Sequence, residues 1–115
     1  MNPQVPEHAL DRPVALLRVG GDEELLKEIA VIFLDDYPKV LSEIRAAIAN
    51  GDARQLEASA HTLKGSAANF GAAAVVASAL QLEQMGRTAR LEQAAASVSA
   101  LEEGLCALRA DLEAL

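Results

Sequence analysis

Asp52-Ala53-Arg54-Gln55-Leu56-Glu57-Ala58-Ser59-Ala60-His61-Thr62-Leu63-Lys64-Gly65-Ser66-Ala67-Ala68-Asn69-Phe70-Gly71 is the stretch that decides the fold class. Leu56, Ala60, Leu63, Ala67 and Phe70 recur at steps of 4, 3, 4 and 3 residues. That is one apolar stripe of a helix facing a core. Asn50-Gly51 reads as a helix stop, and Asp52 with Gln55 as a capping box opening the next helix. The helix is expected to run to about Ala68 and turn at Asn69-Phe70-Gly71. At 100° per residue, His61 lies about 140° from the centre of the stripe, so it stands out from the core. Its neighbours on the helix surface are Arg54, Glu57, Ala58, Lys64, Gly65 and Ala68. Gly in a helix interior costs roughly 1 kcal/mol against Ala. Its use at position 65, in a chain rich in alanine, points to a need for open space beside the histidine.

The same periodicity extends in both directions. Upstream, Asp11 caps a short helix with Pro13 in its first turn, and Gly20-Gly21 ends it. Asp22 then caps a long helix with Glu23 and Glu24 well placed for the helix dipole. Leu25, Ile29, Phe33, Tyr37, Val40, Ile44 and Ile48 keep helical spacing through Pro38, which predicts a kink in one helix. Downstream, a helix from Ala73 to Met85 is expected, closed by Gly86, with Val76, Ala79, Leu80 and Glu83 mixing faces. A last helix is expected from near Thr88. Its Leu91, Ala94, Val98, Leu101, Leu105, Leu108, Leu112 and Leu115 form a 3-4 seam, with Cys106 beside it as a buried, inert thiol. Short connections make neighbouring helices antiparallel. The expected fold is all-α: an up-down-up-down antiparallel four-helix bundle with a short extra N-terminal helix. It occupies residues 10–115, after a flexible leader over 1–9 that holds Pro3, Pro6 and a solvated His8.

Composition narrows the function. The 115 residues suit one domain, and 51% hydrophobic with 3% aromatic residues favours closely packed helices. A net charge of −7 and a pI near 4.7 lack the basic footprint that nucleic acid requires. The same charge disfavours anionic membranes, and no apolar run reaches the roughly 18 residues of a membrane span. No signal peptide is evident in Met1-Asn2-Pro3-Gln4-Val5-Pro6. The single Cys106 cannot pair within the chain, which fits a reducing cytoplasm.

His61-Thr62-Leu63-Lys64-Gly65-Ser66-Ala67, followed by Phe70-Gly71, resembles the phosphoacceptor signature of histidine-containing phosphotransfer (HPt) domains. Gly20 to Leu26, Phe33-Leu34-Asp35-Asp36 and Asn50-Gly51-Asp52 resemble further parts of such domains, so the likeness covers roughly residues 10–113. The resemblance implies that His61 is a phosphoacceptor, modified on its distal ring nitrogen. It implies partners that are receiver domains, each supplying an aspartate, Mg²⁺-binding acids and a lysine. These receivers would be free or part of a hybrid sensor histidine kinase. No cofactor is expected on this chain itself, and a cytoplasmic monomer is expected.

The residues themselves support that chemistry. A neutral imidazole, with an ordinary pKa of about 6.5, has a lone pair that can attack phosphorus. Lys64, one turn on, is placed to hold phosphoryl oxygens. Glu57, one turn back, either favours the imidazolium or orients the ring through its proximal nitrogen; the sequence leaves both open. Gly65, with Ala58 and Ala68, leaves room for a partner. Arg54 with Lys64 would form a positive island toward an acidic receiver pocket. Ser66 lies about 140° around from His61, which suggests packing or a backbone bond. There is no P-loop and no carboxylate cluster converging on His61, so autonomous kinase chemistry is not expected.

Four other readings compete. A chemotaxis-type histidine kinase carries a similar bundle, loaded by its own ATP-dependent domain, and no kinase domain occurs here. A kinase dimerisation bundle usually has an acid after the histidine and a later proline, whereas here Thr62-Leu63-Lys64 follows and no proline comes after Pro38. A metal or haem bundle needs several inward His or Glu ligands, but the two histidines lie in the leader and on an outer face. A non-catalytic helical adaptor is disfavoured by the intact His61 to Ser66 motif.

Overall fold

A computed structural model describes residues 9–115. The proposed leader, His8 included, lies outside them except for Ala9. Five helices follow in order: α1 (Arg12–Arg18), α2 (Glu23–Asn50), α3 (Ala53–Ala68), α4 (Ala73–Thr88) and α5 (Ala94–Glu113). No strand occurs among the described residues. Helices α2, α3, α4 and α5 pack in sequence, and α5 closes the ring against α2. At 1.5 Å per residue, the 28 residues of α2 make a rod of about 42 Å. That accounts for the 41 Å long axis of the molecule.

The helix ends obey local chemistry. Asp11, Asp22 and Asp52 each accept a backbone N–H three residues on, satisfying an orphan donor of the first turn. Gly51 takes the left-handed conformation after α2, φ 66°, as a C-terminal glycine does at low steric cost. The capping box at Asp52 is only half formed. Asp52 caps Gln55, but the Gln55 amide turns away and donates to Ser59 Oγ at 2.7 Å. Helix α2 continues through Pro38 as one element.

The core follows the predicted stripes closely in α3 and α5 and less closely in α2. Leu56, Ala60, Leu63, Ala67 and Phe70 are all buried, as are Val98, Leu101, Leu105, Leu108 and Leu112. In α2 the buried residues are Leu26, Ala30, Phe33, Leu41, Ile44 and Ala47, whereas Leu25 is 40% exposed. The small residues Ala30 and Ala47 complete a stripe that large residues alone did not reveal. Phe33 joins the halves of the core, stacking on Tyr37 and meeting Phe70 edge-on at 5.3 Å.

Three further expectations are corrected. Cys106 is exposed, on the outer side of the α5 seam. The last helix begins at Ala94, because Ala89 adopts a left-handed conformation (φ 55°) and ends α4 there. Gly86 does not close α4 but is buried within it, against the backbone of α3.

Candidate functional site

Helix α3 holds His61 on its outer face, with 67% of the side chain exposed. Its anchor comes from the adjacent helix. Nδ1 of His61 is 2.9 Å from Oε2 of Glu83 in α4. The Glu83 side chain is only 4% exposed, and donors surround it. Lys64 Nζ donates to Oε1 at 2.6 Å, and Arg87 Nη2 donates to Oε2 at 3.2 Å. Arg87 Nε in turn donates to Glu57 Oε2 at 3.1 Å.

These contacts determine the state of the ring. The hydrogen bond from Lys64 holds the Glu83 carboxyl below the ordinary carboxylate range; burial opposes this, and the His61 contact adds to it. An ionised carboxylate only accepts hydrogen bonds. The proton between Glu83 and the ring therefore belongs to Nδ1 of His61. In the neutral ring that leaves the lone pair on Nε2, the nitrogen pointing away from Glu83. The buried carboxylate selects the tautomer, and the exposed helix face offers the nucleophile.

The remaining residues of the motif divide by role. Beside the ring, Ala58 and Gly65 are exposed and Ala68 is half-buried. A Cβ added at Gly65 would meet nothing within 4 Å. Ser66 Oγ donates to the Thr62 carbonyl at 3.1 Å, so the hydroxyl is occupied by its own helix. Phe70 is buried at the base of the bundle, and its carbonyl accepts from Asp11 N at 3.0 Å. Gly71 has φ 61°, and a Cβ there would lie 2.6 Å from Asp11 Cβ. Phe70 and Gly71 thus fasten α1 to the α3–α4 turn.

Two expectations about charge change. Lys64 is bound to Glu83, so it does not form a free positive island with the exposed Arg54. Glu57 contacts Arg87, while the bond to the proximal ring nitrogen comes from Glu83. Sequence reading singled out neither Glu83 nor Arg87 as part of the site. A signal was present: Ala79, Glu83 and Gly86 share one helical stripe, which puts an acid at a buried position. Glu83 and Arg87 are also one turn apart, at the spacing of a helical ion pair. Among the described residues, no group of three or more His, Cys, Asp or Glu side chains is placed to hold a metal ion. No helix of the described residues is long and apolar enough to cross a membrane.

Comparison with known proteins points the same way. The crystal structure of histidine-containing phosphotransfer protein B (HptB) from Pseudomonas aeruginosa PAO1 superposes with a TM-score of 0.85 at 26% identity, covering 94% of each chain. No curated protein sequence matches. The family model of the Hpt domain matches residues 28–115, a span that takes in His61, its carboxylate anchor and most of the four-helix bundle. With an outward imidazole on the second helix of that bundle, the chain belongs to the Hpt domain family.

Proposed function

We propose that this Hpt domain carries its phosphoryl group on Nε2 of His61. In the loading step, the Nε2 lone pair attacks the phosphorus of an aspartyl phosphate on a receiver domain. A P–N bond forms, the P–O bond to the aspartate breaks, and the aspartate leaves as a carboxylate. The proton on Nδ1 stays in place, so the phosphorylated ring is cationic. Its charge develops against the Glu83 carboxylate, which is already ionised and fixed, so little reorganisation is needed. Unloading is the reverse reaction with the aspartate of a second receiver.

The observation that carries this reading is the 2.9 Å contact between His61 Nδ1 and the buried Glu83. It orients the ring and leaves the outer nitrogen free. Lys64 has a second role within reach: its side chain is 27% exposed, and it can share its donors between Glu83 and phosphoryl oxygens. Gly65, Ala58 and Ala68 supply clearance, and the exposed Arg54 and the half-buried Glu57 lie at the edge of the contact surface. Mg²⁺ and the acids that bind it belong to the receiver in this scheme. The domain works as a monomer in the cytoplasm, alone or within a hybrid sensor kinase.

The test is incubation with a panel of phosphorylated receiver domains. Acid-labile, base-stable label should appear on the wild type and be absent from His61→Gln, with helical circular dichroism unchanged. Label that persists on His61→Gln ends the assignment.

A further inference from the structure

Gly86 is buried in α4, one turn beyond Glu83 and on the same side of the helix. A Cβ at this position would lie 2.5 Å from the Glu57 nitrogen, 2.7 Å from the Ala53 oxygen and 2.9 Å from the Glu57 Cα. All three atoms are backbone of α3, so no side chain can rotate out of the way. Helices α3 and α4 therefore touch backbone to backbone, one turn from His61. We infer that Gly86 is a positioning residue for phosphotransfer: by letting α4 rest directly on α3, it brings the Glu83 carboxylate within reach of His61 Nδ1. The inference rests on the phosphocarrier reading of His61 and adds a residue to it.

The argument is one of reach. Glu83 must bridge from α4 to two side chains of α3, at 2.9 Å to His61 and 2.6 Å to Lys64. These are contact distances with no slack. A methyl group at position 86 needs about 1 Å more than the spacing available, since close carbon contacts are at about 3.5–4 Å. Separation of the helices at Gly86 opens the gap at Glu83, one turn away. Gly65 provides the contrast, because a methyl group there meets nothing. The two glycines on this pair of helices serve different ends: one clears the approach to the ring, and the other sets the tautomer of the ring from behind.

The test uses the whole chain, labelled with ¹⁵N on the imidazoles and assigned through His61→Gln. Long-range ¹H–¹⁵N spectra above the imidazole titration range report which ring nitrogen of His61 holds the proton. The wild type should show Nδ1–H. Gly86→Ala should shift the population toward Nε2–H and slow phosphotransfer by about tenfold or more, as small misplacements do. Ala79→Gly, which loosens the same helix without adding bulk, should keep Nδ1–H. Glu83→Asp removes one methylene and opens the same gap from the side-chain end, with no steric load on the fold. It should reproduce the tautomer shift, and it carries the test if Gly86→Ala does not fold. Retention of Nδ1–H in Glu83→Asp, or in a folded Gly86→Ala, overturns the inference. So does an equal shift in Ala79→Gly. The tautomer is read without any receiver, so failure here is separable from failure of His61 to accept phosphate.

Discussion

Replacing Gly65 with leucine should make the domain more stable and nearly inactive. Position 65 lies one turn after His61, is exposed, and has no atom within 4 Å of where a Cβ would stand. Nothing in the fold resists the new side chain. Exchanging Gly for Leu within a helix removes a propensity penalty of about 0.8 kcal/mol. For a domain of this size, that gain should raise Tm by about 3–5 °C. The effect on transfer has the opposite sign. Long side chains on a helix lean toward its N-terminus and cover the preceding turn, so the new leucine side chain would lie beside the His61 ring. The phosphorus of an incoming aspartyl phosphate must come to about 3–3.5 Å from Nε2 before it reacts. An isobutyl group in that space displaces the partner by more than about 1 Å, for an expected loss of at least about 100-fold. Single-turnover transfer from a phosphorylated receiver measures the rate, and thermal unfolding by circular dichroism measures the stability. Gly65→Ala should gain a similar stability with a smaller loss of rate. Wild-type transfer by Gly65→Leu would refute the account of the glycine. A fall in Tm would show that the space is not open.

Other expectations concern the fold. Glu83 is held below its ordinary value of 4.5, first by the Lys64 hydrogen bond. Its folded pKa is lower than its unfolded one, so its contribution to stability is complete above about 4.5 and is lost as pH falls through the folded value. Urea unfolding of wild type against Glu83→Gln should show this extra acid dependence only in the wild type. A parallel pair of curves would mean that the carboxylate is not held by its partners. Leu105→Ala empties a site that is 2% exposed and should cost about 2–5 kcal/mol, read as a lower urea midpoint at constant m-value. Ala89→Gly relieves a left-handed alanine at φ 55° and should stabilise by about 0.5–1 kcal/mol; an unchanged or lower Tm would argue against strain at this cap.

The all-helical bundle was legible in the sequence because its signals are local. Aspartate caps at positions 11, 22 and 52 and the leucine seam of α5 act within a turn or two of chain. The outward direction of His61 followed from the phase of Leu56, Ala60, Leu63, Ala67 and Phe70 alone. Where phase was carried by alanine, as at Ala30 and Ala47 in α2, large residues such as Leu25 pointed to the wrong edge. The ends of α4 and α5 were misjudged for a related reason: a glycine in sequence suggests a stop, yet Gly86 is a packing residue and Ala89 makes the turn.

By itself, then, the sequence determined which helix carries the histidine, which way the ring faces, and that a small-residue clearing lies beside it. Each of these depends on helical geometry within one segment. Only the tertiary structure decided what stands behind the ring. Glu83 lies 22 residues from His61 and Lys64 lies 19 from Glu83, so their convergence depends on how closely α4 approaches α3. That distance is a property of two backbones in contact, which no periodicity along either helix encodes.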